Sequence, residues 1–175
     1  LDGSISERAA ALQEAWAEAG AEAVLSTQIL RELWSKFVYI ASLGGLRCLP
    51  GMPAYCSSKA GLIMLTQQVA LDFGPARVRC NVVCPGGTRT EMLENSLSPL
   101  KAVLGTDLEG VFERISSMVP LRRTAQPDEI SGICSFLASD DATYMTGAVL
   151  VLDGGAAIVD VSGAALSNAG VKWGV

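Results

Sequence analysis

Three short β-like runs, Phe37 to Ala41, Val78 to Cys84 and Ala148 to Leu152, stand far apart in the chain with long helix-forming stretches between them. Alternation of strand-like and helix-forming stretches fits a layered α/β arrangement. The chain therefore reads as α/β, a parallel sheet covered by helices on both faces. Pro53 to Phe73 is the helix after the first strand, stopped by Gly74-Pro75. Pro127-Asp128-Glu129 opens another that runs to Ser139, with proline in the first turn and carboxylates favoured by the helix dipole. Ile5 to Leu33 is Ala-rich helix-forming material, with Ser4 or Ser6 available as a cap. From Glu91 to Val119, Ser96, Ser98, Pro99, Gly105 and Gly110 interrupt the pattern, and composition there predicts a mobile loop with one or two short helices.

Three strands make little sheet, and a parallel sheet requires neighbours and cover. The sequence also starts at Leu1 rather than at methionine. Both features lead us to expect an amino-terminal half outside this sequence; the rival expectation is a short protein that dispenses with one.

Composition narrows the function. At 175 residues and half apolar, the chain has the material for one cored domain. A net charge of -5 without a lysine-rich run argues against nucleic acid or another polyanion as partner. No apolar stretch reaches the ~18 residues of a membrane span, and the acidic start lacks a signal peptide's basic region, so the expected location is cytoplasmic. The sequence contains no histidine, which removes Ser-His-Asp and Cys-His mechanisms and histidine-ligated metals. The five cysteines have no zinc-like spacing, and no metal site is expected. They read as reduced, mostly buried small hydrophobes: Cys80 and Cys84 on one strand face, Cys134 within a helix, Cys48 and Cys56 flanking a loop. Cys56, beside Tyr55, is the one placed for access and modification.

Tyr55 and Lys59 stand four residues apart at the start of the apolar helical run from Pro53, with Ser42 thirteen residues before Tyr55 at the end of a strand. A phenol is a poor acid at neutral pH and needs a nearby positive charge before it moves protons efficiently. Positions i and i+4 share a helix face, within reach of each other. At ~4 Å and an effective dielectric of ~20, phenolate and ammonium attract by about 4 kcal/mol. Ser42 adds a hydroxyl able to hold a substrate oxygen. A Tyr-x-x-x-Lys spacing arises by chance in roughly one chain in three of this length, so its setting carries the argument.

That setting is a series of motifs in order: Ile40-Ala41-Ser42, Tyr55-Cys56-Ser57-Ser58-Lys59-Ala60-Gly61-Leu62, and Arg77-Val78-Arg79-Cys80-Asn81-Val82-Val83-Cys84-Pro85-Gly86. Thr90, Pro120-Leu121-Arg122-Arg123, Phe136-Leu137-Ala138-Ser139-Asp140, Thr146-Gly147 and Asp153-Gly154-Gly155 follow. Together they resemble the carboxyl-terminal part of a short-chain dehydrogenase/reductase. The resemblance covers residues 1–155, read as the later part of one Rossmann-like, doubly wound domain, and leaves 156–175 as an unassigned extension. It implies an NAD- or NADP-dependent carbonyl reductase or alcohol dehydrogenase. Ser42 then positions the carbonyl of a small-molecule substrate, Tyr55 exchanges the proton, and Lys59 supports Tyr55 and contacts the nicotinamide ribose. It further implies that Pro85 to Thr90 lines the nicotinamide, with the Thr88 backbone and Thr90 hydroxyl at its carboxamide, although Thr88 stands where the family usually has isoleucine or valine. The segment from Glu91 to Val119 corresponds to the substrate cover. The expected assembly is a homodimer or homotetramer paired through the helix carrying Tyr55 and through the last strand. Asn81 is expected to brace its strand, and Asp153-Gly154-Gly155 to form a structural turn.

The sequence also departs from that pattern. It has no glycine-rich turn between a first strand and helix to seat a pyrophosphate. Val161 to Gly170 has the wrong glycine spacing for one and reads as an irregular tail. Ala19 stands where the family commonly has an asparagine that helps hold a water near the lysine. These departures keep open an alternative: a non-redox descendant that serves as a binding or scaffold subunit, or as a catalyst reusing the pocket without a nicotinamide.

Overall fold

The structure, a computed structural model, describes residues 36–170. The Ile5 to Leu33 helix and Ala19 lie outside the described residues. Strand β1 (Lys36–Ile40) leads through a single 3₁₀ turn, Leu43–Gly45, to helix α1 (Pro53–Phe73), and a second 3₁₀ turn, Gly74–Ala76, delivers the chain to β2 (Arg79–Pro85). Helices α2 (Glu91–Leu97), α3 (Leu100–Leu104), α4 (Leu108–Ser116) and α5 (Pro127–Ala138) follow, then β3 (Val149–Leu152) and α6 (Val161–Asn168). The strands lie in the order β1-β2-β3, and β2 runs parallel to β3 with Val82 opposite Val149 and Pro85 opposite Leu152. The fold is Rossmann-like α/β. Each strand falls within a residue of its expected bounds, and α1 occupies the segment from Pro53 to Phe73 that the sequence assigns it.

β2 is the spine of the sheet. Its residues Cys80, Val82, Val83 and Cys84 are fully buried because opposite faces meet different helices. Val82 and Cys84 join Ala41 and Ile63 of α1, with Tyr39 and Val149 packed alongside. Val83 faces the other way, into Ile130 and Leu137 of α5 and Ala142, with Val38, Leu150 and Leu152 around them. The period-two alternation thus appears across the sheet, one set of side chains toward each layer. Each fully buried valine contributes about 1.5 to 3 kcal/mol of transfer free energy. Buried Asn81 braces the strand as expected: its Nδ2 donates to the Met145 carbonyl at 2.9 Å and its Oδ1 accepts from the Ala148 amide at 3.1 Å.

Three expectations need correction. The segment from Glu91 to Val119 is not a loop with one or two helices but three helices, because local caps compensate for its interruptions. Thr90 accepts from the Leu93 amide at 3.3 Å to start α2, Asp107 accepts from the Gly110 amide at 2.9 Å to start α4, and Gly105 takes the left-handed conformation that ends α3. Secondly, Val161 to Gly170 is not irregular: Asp160 accepts from the Gly163 amide at 2.9 Å and caps α6. Thirdly, the cysteines are not mostly buried. Cys80 and Cys84 are, but Cys48 is exposed and Cys56 and Cys134 are half-buried. The first two sit on the central strand, whereas Cys48 lies in a surface loop. Among the described residues no helix is long and apolar enough to cross a membrane.

Candidate functional site

Ser42 follows β1, where the Ala41 amide donates to the Val83 carbonyl at 2.8 Å and ties the strand end to β2. Extended at φ -175° and ψ 158°, Ser42 caps the 3₁₀ turn, its Oγ accepting from the Gly44 amide at 3.0 Å. Its backbone also hydrogen-bonds the Cys84 thiol, opposing the rise that burial imposes on that group. Ser42 is therefore fixed by β2 below and by its own turn above.

The turn rests directly on α1. A Cβ at Gly44 would lie 2.9 Å from Tyr55 Cε1, and one at Gly45 would lie 2.8 Å from the Lys59 carbonyl carbon and 2.9 Å from Ile63 Cδ1. Only hydrogen at both positions lets the Ser42 turn lie against the helix turn that carries Tyr55 and Lys59. The duty of these glycines, close approach, had a legible signal in their adjacency just after Ser42, but the partner surface had to be seen. Gly44 touches both groups, with its amide on the Ser42 hydroxyl and the Tyr55 ring filling the space a Cβ would take.

Lys59 Nζ stands 5.7 Å from the Tyr55 ring centroid, on the shared face that the i, i+4 spacing requires. Tyr55 is 39% exposed, so its phenol is accessible from solvent, and Lys59 is half-buried. The three proton-handling or carbonyl-holding candidates thus occupy one neighbourhood. They can orient an oxygen, exchange its proton and stabilise the tyrosine oxygen electrostatically.

Pro85 to Thr90 leaves the carboxyl end of β2. The Gly86 amide donates to the Leu152 carbonyl at 2.9 Å, and a Cβ there would lie 2.9 Å from the Asp153 Cα, so Gly86 has a packing duty. Asp153 holds its own turn by accepting from the Gly155 amide at 2.9 Å and the Ala157 amide at 2.5 Å, the structural role expected of it. Thr88 is pinned opposite Ala125 in an isolated bridge, the Arg89 amide donates to the Ala125 carbonyl at 2.8 Å, and Thr88 Oγ1 donates weakly to the Gly86 carbonyl at 3.4 Å. The Thr90 hydroxyl oxygen caps α2, and a hydroxyl used this way keeps its proton to donate elsewhere.

Sequence reasoning missed Arg89. Its guanidinium lies 4.6 Å over the Phe112 ring and pairs with Glu109 at 2.7 Å and Glu94 at 3.2 Å, joining α2, α4 and the segment after β2. These bonds raise the Arg89 pKa further above its ordinary value. No local pattern reveals it, because its partners come from two helices.

A cavity of about 740 Å³ borders this region at Gly87 and continues along Ile115, Val119, Leu121 and Leu152 toward Arg123 and Glu129. Ser42, Tyr55 and Lys59 do not line it. Two of its charged groups pair with each other, Arg123 to Glu129 at 2.7 Å, and the third, Asp153, is held by the backbone amides of its own turn, which makes it a poorer centre for proton transfer than the triad. No group of three potential metal ligands occurs among the described residues.

A family profile described as Enoyl-(Acyl carrier protein) reductase matches residues 9–157. The chain is 43% identical over 124 residues to Protein MoaE of Klebsiella aerogenes, covering 71% of this chain and 48% of that protein. It superposes with a TM-score of 0.67 on a short chain dehydrogenase family protein from Francisella tularensis subsp. tularensis SCHU S4, at 31% identity, with 70% of this chain and 50% of that chain covered. The L-sorbose reductase of Gluconobacter frateurii, solved with NADPH and L-sorbose, gives a TM-score of 0.67 at 27% identity, covering 72% and 49%. The chain spans about half the length of the curated relatives it matches. The profile match, these likenesses and the neighbourhood of Ser42, Tyr55 and Lys59 converge: the chain belongs to the short-chain dehydrogenase/reductase family.

Proposed function

We propose that the chain carries the catalytic end of a nicotinamide-dependent oxidoreductase that interconverts a carbonyl and an alcohol. The observation that carries this reading is the seat of the Ser42 turn on α1, through Gly44 and Gly45, beside Tyr55 and Lys59. Ser42 Oγ holds the substrate oxygen, and Tyr55 gives that oxygen a proton in reduction and removes it in oxidation. Lys59 supplies a cation beside the phenol, its Nζ 5.7 Å from the ring centroid.

The donor set suits the nicotinamide and its ribose. Lys59 and Tyr55 offer hydrogen bonds to sugar hydroxyls, and the Thr88 backbone and Thr90 hydroxyl, with Pro85 and Gly86 shaping the bend, offer polar contacts to a carboxamide. When bound, NAD or NADP supplies or accepts the hydride. The glycine-rich turn that would hold its pyrophosphate is not in this sequence, so these residues account for the reactive end alone. Reductase and dehydrogenase relatives support the redox reading, including a protein named L-rhamnose 1-dehydrogenase (NAD(P)(+)) in Azotobacter vinelandii. The segment from Glu91 to Val119, whose α2 and α4 are tied together by Arg89, then forms the substrate cover. Assembly as a homodimer or homotetramer through α1 suits the exposed apolar side chains Met64, Leu65, Leu71 and Phe73 on that helix.

Tyr55→Phe tests the assignment. Turnover is expected to fall by roughly 10²- to 10⁴-fold, the usual size of general acid–base catalysis, while cofactor affinity measured by fluorescence titration changes little. A variant that turns over like the parent would sink it.

A further inference from the structure

The loop after the 3₁₀ turn and the first turn of α1 each carry a thiol that the proposed reaction does not use. Cys56, in the first turn of α1 directly after Tyr55, accepts a hydrogen bond at its Sγ from the Leu49 amide at 3.3 Å. That nitrogen is bonded to the carbonyl carbon of Cys48. The Cys56 sulfur therefore lies within about 6 Å of the Cys48 Cα, which makes the two residues neighbours across the loop. Cys48 is exposed and Cys56 half-buried. The remaining cysteines are placed differently: Cys80 and Cys84 are sealed on β2, and Cys134 packs against the core under α5.

We propose that Cys48 and Cys56 form a peroxide-oxidisable thiol pair, a modification site whose disulfide closes the loop that leads into the α1 turn bearing Tyr55. The exposed Cys48 thiolate attacks the peroxide. An S–O bond forms, the O–O bond breaks, sulfur loses two electrons, and the departing hydroxide takes a proton as water. The Cys56 thiolate then attacks the sulfenic sulfur. The S–S bond forms, the S–O bond breaks, and a second hydroxide leaves as water, so two thiols and one peroxide give one disulfide and two waters. Leu49 couples this bond to the site. Its amide now binds Cys56, and its Cδ1 and the Tyr55 ring both cover Gly44, so drawing Cys48 onto Cys56 shifts the contact that sets the Tyr55 ring.

The test is peptide mapping of the reduced, purified protein after hydrogen peroxide and alkylation, with turnover assayed in parallel. The expected product is a Cys48–Cys56 cross-linked peptide that dithiothreitol releases and that neither Cys48→Ser nor Cys56→Ser forms. Cys48 carried to sulfonic acid with Cys56 still alkylated, or a disulfide to another cysteine, overturns the proposal. This chemical result is independent of the hydride-transfer reading. The effect on activity rests on that reading: turnover of the parent falls by roughly a hundredfold on oxidation and recovers on reduction, while Cys48→Ser keeps its rate. A cross-linked protein that turns over like the reduced one overturns the control of Tyr55.

Discussion

A methyl group at Gly45 has nowhere to go, since besides Ile63 Cδ1 it meets backbone atoms of Lys59, which cannot swing aside as a side-chain end can. Gly45→Ala is expected to destabilise the protein by about 1 to 3 kcal/mol, read as a lowered midpoint in urea. Turnover should fall as well, because the change pushes the Ser42 turn away from α1. Parental stability together with parental turnover would show that the turn is not seated as described. Tyr55, Lys59 and Ser42 were legible as residues because their chemistry is intrinsic to the side chains and their helical spacing fixes a shared face. Gly45 was not, because close approach is a relation between two segments. Arg89 was hidden for the same reason, its ion pairs spanning separate helices.

Among the helices, α5 has the best-defined start. The Gln126 amide donates to Glu129 Oε2 at 2.7 Å, and Arg123 grips the same carboxylate with two bonds of 2.7 Å. These partners, Arg123 first, push the Glu129 carboxyl down to about 2 from an ordinary value of 4.5. A folded-state value below the unfolded one means that the contribution to stability is complete above about pH 4.5 and fades as acid takes the pH toward 2. Both groups are solvent-exposed, so the effect is modest and weakens in salt. Unfolding followed from pH 6 to pH 3 is expected to have a shallower acid slope in Glu129→Gln than in the parent; equal slopes would remove this pair from the acid response. Proline and two acids announced this helix in the sequence. For Glu91 to Ser116 the sequence announced only one or two short helices within a loop, because single capping bonds at Thr90 and Asp107, not composition, decide the three that form.

At the scale of the whole molecule, stability is concentrated on β2, which has a strand on each side and a layer over each face. The Val82 amide, donating to the Ala148 carbonyl at 2.9 Å with its residue fully buried, is expected to exchange hydrogen only through global opening. β3 amides beside Val151, which is 42% exposed, should exchange through smaller openings. Comparable protection in both strands, measured by hydrogen exchange, would contradict a sheet centred on β2. The sequence by itself determined the α/β class, the strand positions and the catalytic candidates, because apolar runs, chain punctuation and side-chain chemistry act over a few neighbouring residues. The tertiary structure alone decided which glycines must be glycine, which cysteines meet solvent and which ion pairs join the helices after β2, since each depends on surfaces that meet only when distant segments pack.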